Sequence, residues 1–200
     1  MRVLVTRDDL VPRVEALGHE AVLCEPIRIE PLGDGPVDAS GYDWLVVTSR
    51  NGAHELARRG VTANRIAAIG PATAAALREH GLRVDLVPET HTQEGLRDAL
   101  PPGRRLLAAA EGARRDVIDA DFVPLYRTVE LAVETPDADV ALLMSGSAAR
   151  ALSVGGARFP VIAIGPQTSA EARAAGLDVV AEAKTHDVGG LIEALRSLPG

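Results

Sequence analysis

Four short segments of this chain combine glycine or small hydroxylic residues with the expected start of a helix. They are Thr48-Ser49-Arg50-Asn51-Gly52, Gly70-Pro71-Ala72-Thr73, Ser145-Gly146-Ser147-Ala148 and Gly165-Pro166-Gln167-Thr168-Ser169. Thr6 and Arg7 close a fifth apolar run in the same way. The chemistry such residues support is anion binding. Glycine lets a ligand approach the backbone, and hydroxyls donate hydrogen bonds. The first turn of a helix adds unpaired N–H groups and the positive end of its dipole. A partly buried anion gains up to about 2 kcal/mol at one such terminus. Four termini then supply roughly 4–8 kcal/mol, while micromolar affinity needs about 8 kcal/mol net. Arg7, Arg50 and Arg127 are candidates for the remainder. The competing reading is that Ser and Thr merely cap helices, worth about 1 kcal/mol each. It holds for any one segment taken alone, and recurrence at four equivalent places favours a ligand.

Tyr126 is the one reactive side chain in a stretch expected to be extended. A phenol with an ordinary pKa near 10 is a weak acid, so a proton donor and a structural tyrosine both remain open. Other signatures are missing. The sequence has no glycine-rich dinucleotide fingerprint, no phosphate-binding P-loop and no nucleophile elbow. Its histidines, at 19, 54, 80, 91 and 186, show no metal-ligand spacing. His91 and His186 each precede an expected helix and read as part of its starting turn. Cys24 is the lone cysteine, which excludes an internal disulfide and a thiolate zinc site. No metal and no cofactor are expected.

The elements that carry these segments occur twice. Displaced by 95 residues, Ile69-Gly70-Pro71-Ala72-Thr73 falls on Ile164-Gly165-Pro166-Gln167-Thr168, and 16 of the 35 positions from Ile66 to Leu100 match. Gly81-Leu82, Thr90-His91, Gly95-Leu96 and Ala99-Leu100 fall on Gly176-Leu177, Thr185-His186, Gly190-Leu191 and Ala194-Leu195. A displacement of 96 aligns Asp43, Ser49, Ala53 and Leu56 with Asp139, Ser145, Ala149 and Leu152. The matches include Gly, Pro, Thr and His, so alanine-rich helices alone do not explain them.

Short apolar runs at Arg2–Thr6, Leu45–Thr48, Arg65–Ile69, Val84–Val87, Leu106–Ala109, Val140–Met144, Val161–Ile164 and Val179–Ala181 suit buried parallel strands. Pro71–His80, with Pro at its start and Gly81 beyond its end, predicts a helix. Leu191, Ile192, Leu195 and Leu198 form one helical stripe. The alternation predicts an α/β protein of two doubly wound lobes. Ligands of open parallel sheets sit beyond the carboxyl ends of the strands, where the four segments lie. The proline-bearing stretches Cys24–Pro36 and Pro124–Pro136 are expected as extended crossovers.

Composition narrows the partners. With 21 basic against 28 acidic side chains the net charge is −7, which disfavours nucleic acid. Five aromatic residues are too few for a base-stacking platform. No run reaches the roughly 18–20 apolar residues of a spanning helix. The first residues lack a secretory pattern, so a cytoplasmic location is expected.

Taken in order, Val3-Leu4-Val5-Thr6-Arg7, Leu45-Val46-Val47-Thr48-Ser49-Arg50-Asn51-Gly52, Ile66–Thr73, Leu125-Tyr126-Arg127-Thr128-Val129 and Ile162–Thr168 resemble the uroporphyrinogen-III synthase family, over nearly the whole chain. The resemblance implies two flavodoxin-like parallel-sheet lobes joined by a two-stranded linker, with a ligand cleft between them. Lobe one would be 1–26 plus 131–200, lobe two 31–124, and the linker strands 27–30 and 125–130. It implies a cofactor-free carbon–oxygen lyase that closes hydroxymethylbilane, a linear tetrapyrrole with eight carboxylates, into uroporphyrinogen III. Water is lost and the last pyrrole ring is inverted. Tyr126 would be the general acid. Thr6, Arg7, Thr48, Ser49, Arg50, Asn51, Gly70, Pro71, Thr73, Ser145, Gly146, Ser147, Gly165, Thr168 and Ser169 would bind substrate. The deaminase that makes hydroxymethylbilane would hand it over, and the protein would be a monomer. The alternative is a two-lobed cytoplasmic binding protein or sensor for an anionic small molecule, without catalysis. The chain departs from the family at Met144-Ser145-Gly146-Ser147-Ala148, where Phe-Thr-Ser-Pro-Ser is usual. Curtailed helices are expected at Asp8–Leu17, Ala113–Asp119 and Val154–Phe159.

Overall fold

The computed structural model describes residues 1–198. It divides into two compact units, Met1–Arg28 with the chain from Val129 onward, and Ile29–Thr128. The chain thus leaves the first unit once and returns to it once.

The first unit is built on a five-stranded sheet. Its strands run, from one edge to the other, Val179–Glu182, Val161–Ala163, Val140–Leu143, Arg2–Val5 and Glu20–Leu23. Every pairing is parallel. Val3, Val5, Val140, Leu142 and Ile162 point to one face, where Leu10, Val14, Leu191 and Leu195 cover them. Leu4, Ala141, Leu143 and Val161 point to the other, under Ala149, Leu152, Ala172 and Leu177. This period-2 division, with both faces buried, explains why these strands read as unbroken apolar runs. The covering helices are Val11–Glu15, Gly146–Val154, Pro166–Ala174 and Val188–Arg196, with a 3-10 turn at Asp8–Leu10.

The second unit repeats the plan. Its sheet runs Ile27–Pro31, Asp121–Glu130, Arg105–Ala110, Trp44–Val47 and Ile66–Ala68. Leu45, Val47, Ile66, Ala68, Leu106 and Ala108 pack against Ala53, Leu56, Ala74 and Leu77 of the helices Arg50–Arg59 and Pro71–Glu79. Trp44, Val46, Ala67, Leu107 and Ala109 pack against Leu96 of the helix Gln93–Ala99, and against Leu100 and Ile118.

Several local expectations need correction. Val84–Val87 is not a strand; only a single bridge joins Leu86 to Ala67. The Asp85 carboxylate accepts the Ile66 N–H at 3.0 Å, so a side chain takes a bond that a ladder would have used. Glu20–Leu23 is a strand that the sequence hides, because no residue in it is fully buried. A two-stranded parallel piece, Val37–Ala39 with Val61–Ala63, was likewise not expected. The three curtailed stretches are short as foreseen. Asp8–Leu17 holds one 3-10 turn and five helical residues, while residues 113–119 and 155–159 form no helix.

Candidate active site

Trp44–Val47, Ile66–Ala68, Arg105–Ala110 and Asp121–Glu130 pair in parallel, so these four strands of the second unit's main sheet end on one side. Ser49 follows Trp44–Val47 and caps the helix Arg50–Arg59, its Oγ accepting the Gly52 N–H at 3.0 Å. The same Oγ lies 2.9 Å from the Tyr126 hydroxyl. Gly52 lets the helix start sit close: a Cβ there would lie 3.1 Å from Ser49 Oγ and 3.6 Å from the Ala108 carbonyl.

Tyr126 reaches this position through a bulge. Along Asp121–Glu130, Pro124 pairs with Ala109 but Tyr126 pairs with Ala110, so one residue is extra. An ideal strand would send Leu125 and Tyr126 to opposite faces. The bulge lets both enter the same core cluster, as bulges re-aim side chains near functional sites. Tyr126 is 5% exposed. Burial pushes its phenol above the usual value, and hydrogen bonding from Ser49 and Asn51 opposes that rise. The group is therefore a neutral O–H donor at ordinary pH.

The four helix starts fall into two kinds. Ser49 and Ser145 are true caps, the latter accepting the Ala148 N–H at 3.3 Å. Gly70 and Gly165 precede Pro71–Glu79 and Pro166–Ala174 and offer no side-chain cap. Their backbones are extended, with φ of −171° and 175°, so glycine is not required by conformation. It is favoured by close neighbours. A Cβ on Gly70 would lie 3.3 Å from the His91 ring carbon Cγ, and one on Gly165 would lie 3.1 Å from His186 Cδ2. His91 and His186 are thus packed on the helix starts, while Thr92 and Asp187 cap the helices that follow them.

Uncapped first-turn N–H groups have no partner within their own helix, so both Gly-Pro starts keep donors for an outside acceptor. Thr73 and Thr168, the third residues of those helices, are 5% and 7% exposed. Among the described residues neither hydroxyl has a hydrogen-bond partner. Neither oxygen is among the fully enclosed unpaired atoms, so both hydroxyls stay open to an outside partner.

Other expected site residues are committed elsewhere. The Thr6 hydroxyl donates to the Leu142 carbonyl at 3.3 Å. Arg7 is held by Asp9 through two hydrogen bonds, that from Nε being 2.9 Å. Ser169 is buried and donates to Glu182. Ser147 lies 3.1 Å from Ser145. Arg127 faces Glu111 at 3.7 Å. Thr48 and Asn51 are half-buried beside Ser49, while Arg50 and Pro71 are exposed. Gly146 sits where a Cβ would overlap the Glu171 carboxylate, itself paired with Arg150. Nothing in the sequence marks Glu171, since it lies 25 residues from Gly146 on a different helix.

The family model described as uroporphyrinogen-III synthase HemD matches residues 8–193. The chain belongs to the uroporphyrinogen-III synthase family. A protein of Methanothermobacter thermautotrophicus (strain Delta H) named "Putative uroporphyrinogen-III synthase" is 66% identical over 104 residues, which is 46% of this chain and 41% of that protein. The match therefore spans about two-fifths of the relative's length. Among solved structures, a mutant uroporphyrinogen III synthase from the extremely thermophilic bacterium Thermus thermophilus superposes with a TM-score of 0.65, at 17% identity, over 98% of this chain and 97% of that one. At that identity the likeness shows the family's α/β fold with parallel sheets. No described helix is long and apolar enough to cross a membrane.

Proposed function

We propose that this chain is a uroporphyrinogen-III synthase, a carbon–oxygen lyase that acts on hydroxymethylbilane without a cofactor. Family membership supports the reaction, and the Tyr126–Ser49 pair, 2.9 Å apart at the carboxyl side of its sheet, is the observation that supports this chain's competence for it. The Tyr126 O–H gives its proton to the departing hydroxyl as the C–O bond breaks. Water leaves, and an azafulvenium cation remains. The last ring attacks through its substituted α-carbon, and the resulting spiro ring reopens and closes inverted. The proton lost as the pyrrole regains aromaticity returns to the Tyr126 phenolate, so the balance closes with no net oxidation. Ser49 keeps the phenol oriented and stabilises the transient phenolate, as a donor to the developing charge. General acid help of this kind is worth about 10²–10⁴ in rate. Holding the flexible chain in a closing pose supplies the rest.

The Gly70-Pro71 start, with Thr73, takes a substrate carboxylate on its free N–H groups, and Gly165-Pro166 with Thr168 has the same chemistry. This local donation lets a protein of net charge −7 hold a polyanion. We further infer a cytoplasmic monomer that receives hydroxymethylbilane from the deaminase. The test is to supply porphobilinogen and that deaminase, then separate the type I and type III isomers. Type III product is expected. Type I alone would refute the assignment and favour a binding protein.

A further inference from the structure

His54 lies in the middle of Arg50–Arg59, and His80 immediately follows Pro71–Glu79. The sequence keeps them 26 residues apart, yet the fold places His54 Nδ1 and His80 Nε2 2.9 Å from one another on an exposed face. The rings meet nearly edge to face, with centroids 5.1 Å apart. From this convergence of two imidazole nitrogens we infer that His54 and His80 form a binding site for a divalent transition-metal ion of tetragonal preference, Ni²⁺ or Cu²⁺.

The two nitrogens are close enough for one ion to reach both: at about 2.0–2.1 Å from an ion, ring nitrogens stand about 2.9 Å apart at a right angle and about 3.4 Å apart at the tetrahedral angle. Two imidazoles with the remaining positions filled by water suit Cu²⁺ and Ni²⁺, whose nitrogen and oxygen coordination is tetragonal. One nitrogen now donates to the other, so an entering ion displaces that shared proton, and each exposed ring turns to aim its lone pair at the ion. Among the described residues no third His, Cys, Asp or Glu joins the pair. The remaining positions are therefore water, and the site is open and exchangeable.

The packing itself does not demand histidine. The repeat-equivalent position in the first unit is Arg150, paired with Glu130 and with Glu171 of the corresponding neighbouring helix. The histidine pair spans the two helices whose starts carry Ser49 and Thr73. A bound ion would fasten these helices together at their far side.

The test uses the untagged full chain. Calorimetric titration with NiCl₂ near pH 7.5 is compared for wild type, His54→Ala and His80→Ala, with circular dichroism as a check on folding. Both side chains are exposed, so both variants should fold. The expected result is one Ni²⁺ site in the wild type that weakens at least tenfold in each variant. No such site in the wild type, or a site that survives unchanged in either variant, overturns the inference.

Discussion

Removing the Ser49 hydroxyl breaks two bonds at once. In Ser49→Ala the Gly52 N–H loses its cap, at about 1 kcal/mol, and the buried Tyr126 hydroxyl loses its closest partner, at about 1–3 kcal/mol if left unpaired. The expected destabilisation is roughly 2–4 kcal/mol by these terms. Tyr126→Phe leaves Ser49 still bonded to Gly52 and should cost only about 0.5–1.5 kcal/mol. In the double variant no phenol remains to be orphaned, so the loss returns toward the cap alone. The cycle should therefore close with a coupling of at least about 1.5 kcal/mol, well above the few tenths found for independent sites. Urea unfolding of the four proteins measures it, and isomer-resolved turnover runs beside it. Tyr126→Phe should slow formation of type III product by less than about 10³-fold. Ser49→Ala should slow it too, because Ser49 restrains the rise of the Tyr126 pKa. Strict additivity of the stability losses would refute the pairing, and an unchanged rate in Tyr126→Phe would remove it from the mechanism.

Thr73→Val and Thr168→Val keep the shape of hydroxyls that bond to nothing in the protein. Each should leave stability within about 1 kcal/mol while lowering kcat/KM about tenfold by steady-state assay; a matched loss of stability would make these threonines structural. Gly146→Ala places a methyl on the Glu171 carboxylate and should cost about 1–3 kcal/mol, relieved when Glu171 is also changed to Ala, as read by thermal melts. Asp187→Ala removes the cap on Gly190 and should cost about 1 kcal/mol in urea unfolding. Tyr126 titrates later when folded than when unfolded. Its contribution to stability is thus intact below about pH 10 and is lost as pH rises through the raised folded value. Tyr126→Phe should flatten that alkaline decline, and activity that depends on its proton should persist up to about pH 10.

The parallel sheets were legible because Val3-Leu4-Val5, Trp44–Val47 and Val140–Leu143 are buried on both faces, which leaves an unmistakable apolar run. The repeat was legible because Gly70 and Gly165 meet the repeat-equivalent rings of His91 and His186, and Gly95 and Gly190 press on the carbonyls of Thr90 and Thr185. Steric demands of that sort preserve identity at matched positions. Half-exposed Glu20–Leu23 carries no such mark. The bulge at Leu125 and Tyr126 inverts the expected alternation, and only the partner strand reveals it. The four loops looked alike as residue types, yet a serine that caps and a glycine that leaves the first turn open differ in what they offer a ligand. Contacts such as Glu171 on Gly146, or His54 with His80, are set by how two helices lie together and leave no trace in local spacing.

The order of the strands has a consequence during synthesis. Val3 has its central neighbour at Val140, whereas every strand and helix of the second unit's sheet and its cover lies between Ile27 and Glu130. At roughly 5–20 residues per second, the ribosome takes about ten seconds to deliver the partner of the first strand. The inserted unit can finish before its host. Until then Val3, Leu4 and Val5 have only the short neighbour Glu20–Leu23 for company, which makes the nascent amino-terminal segment the natural client of a chaperone.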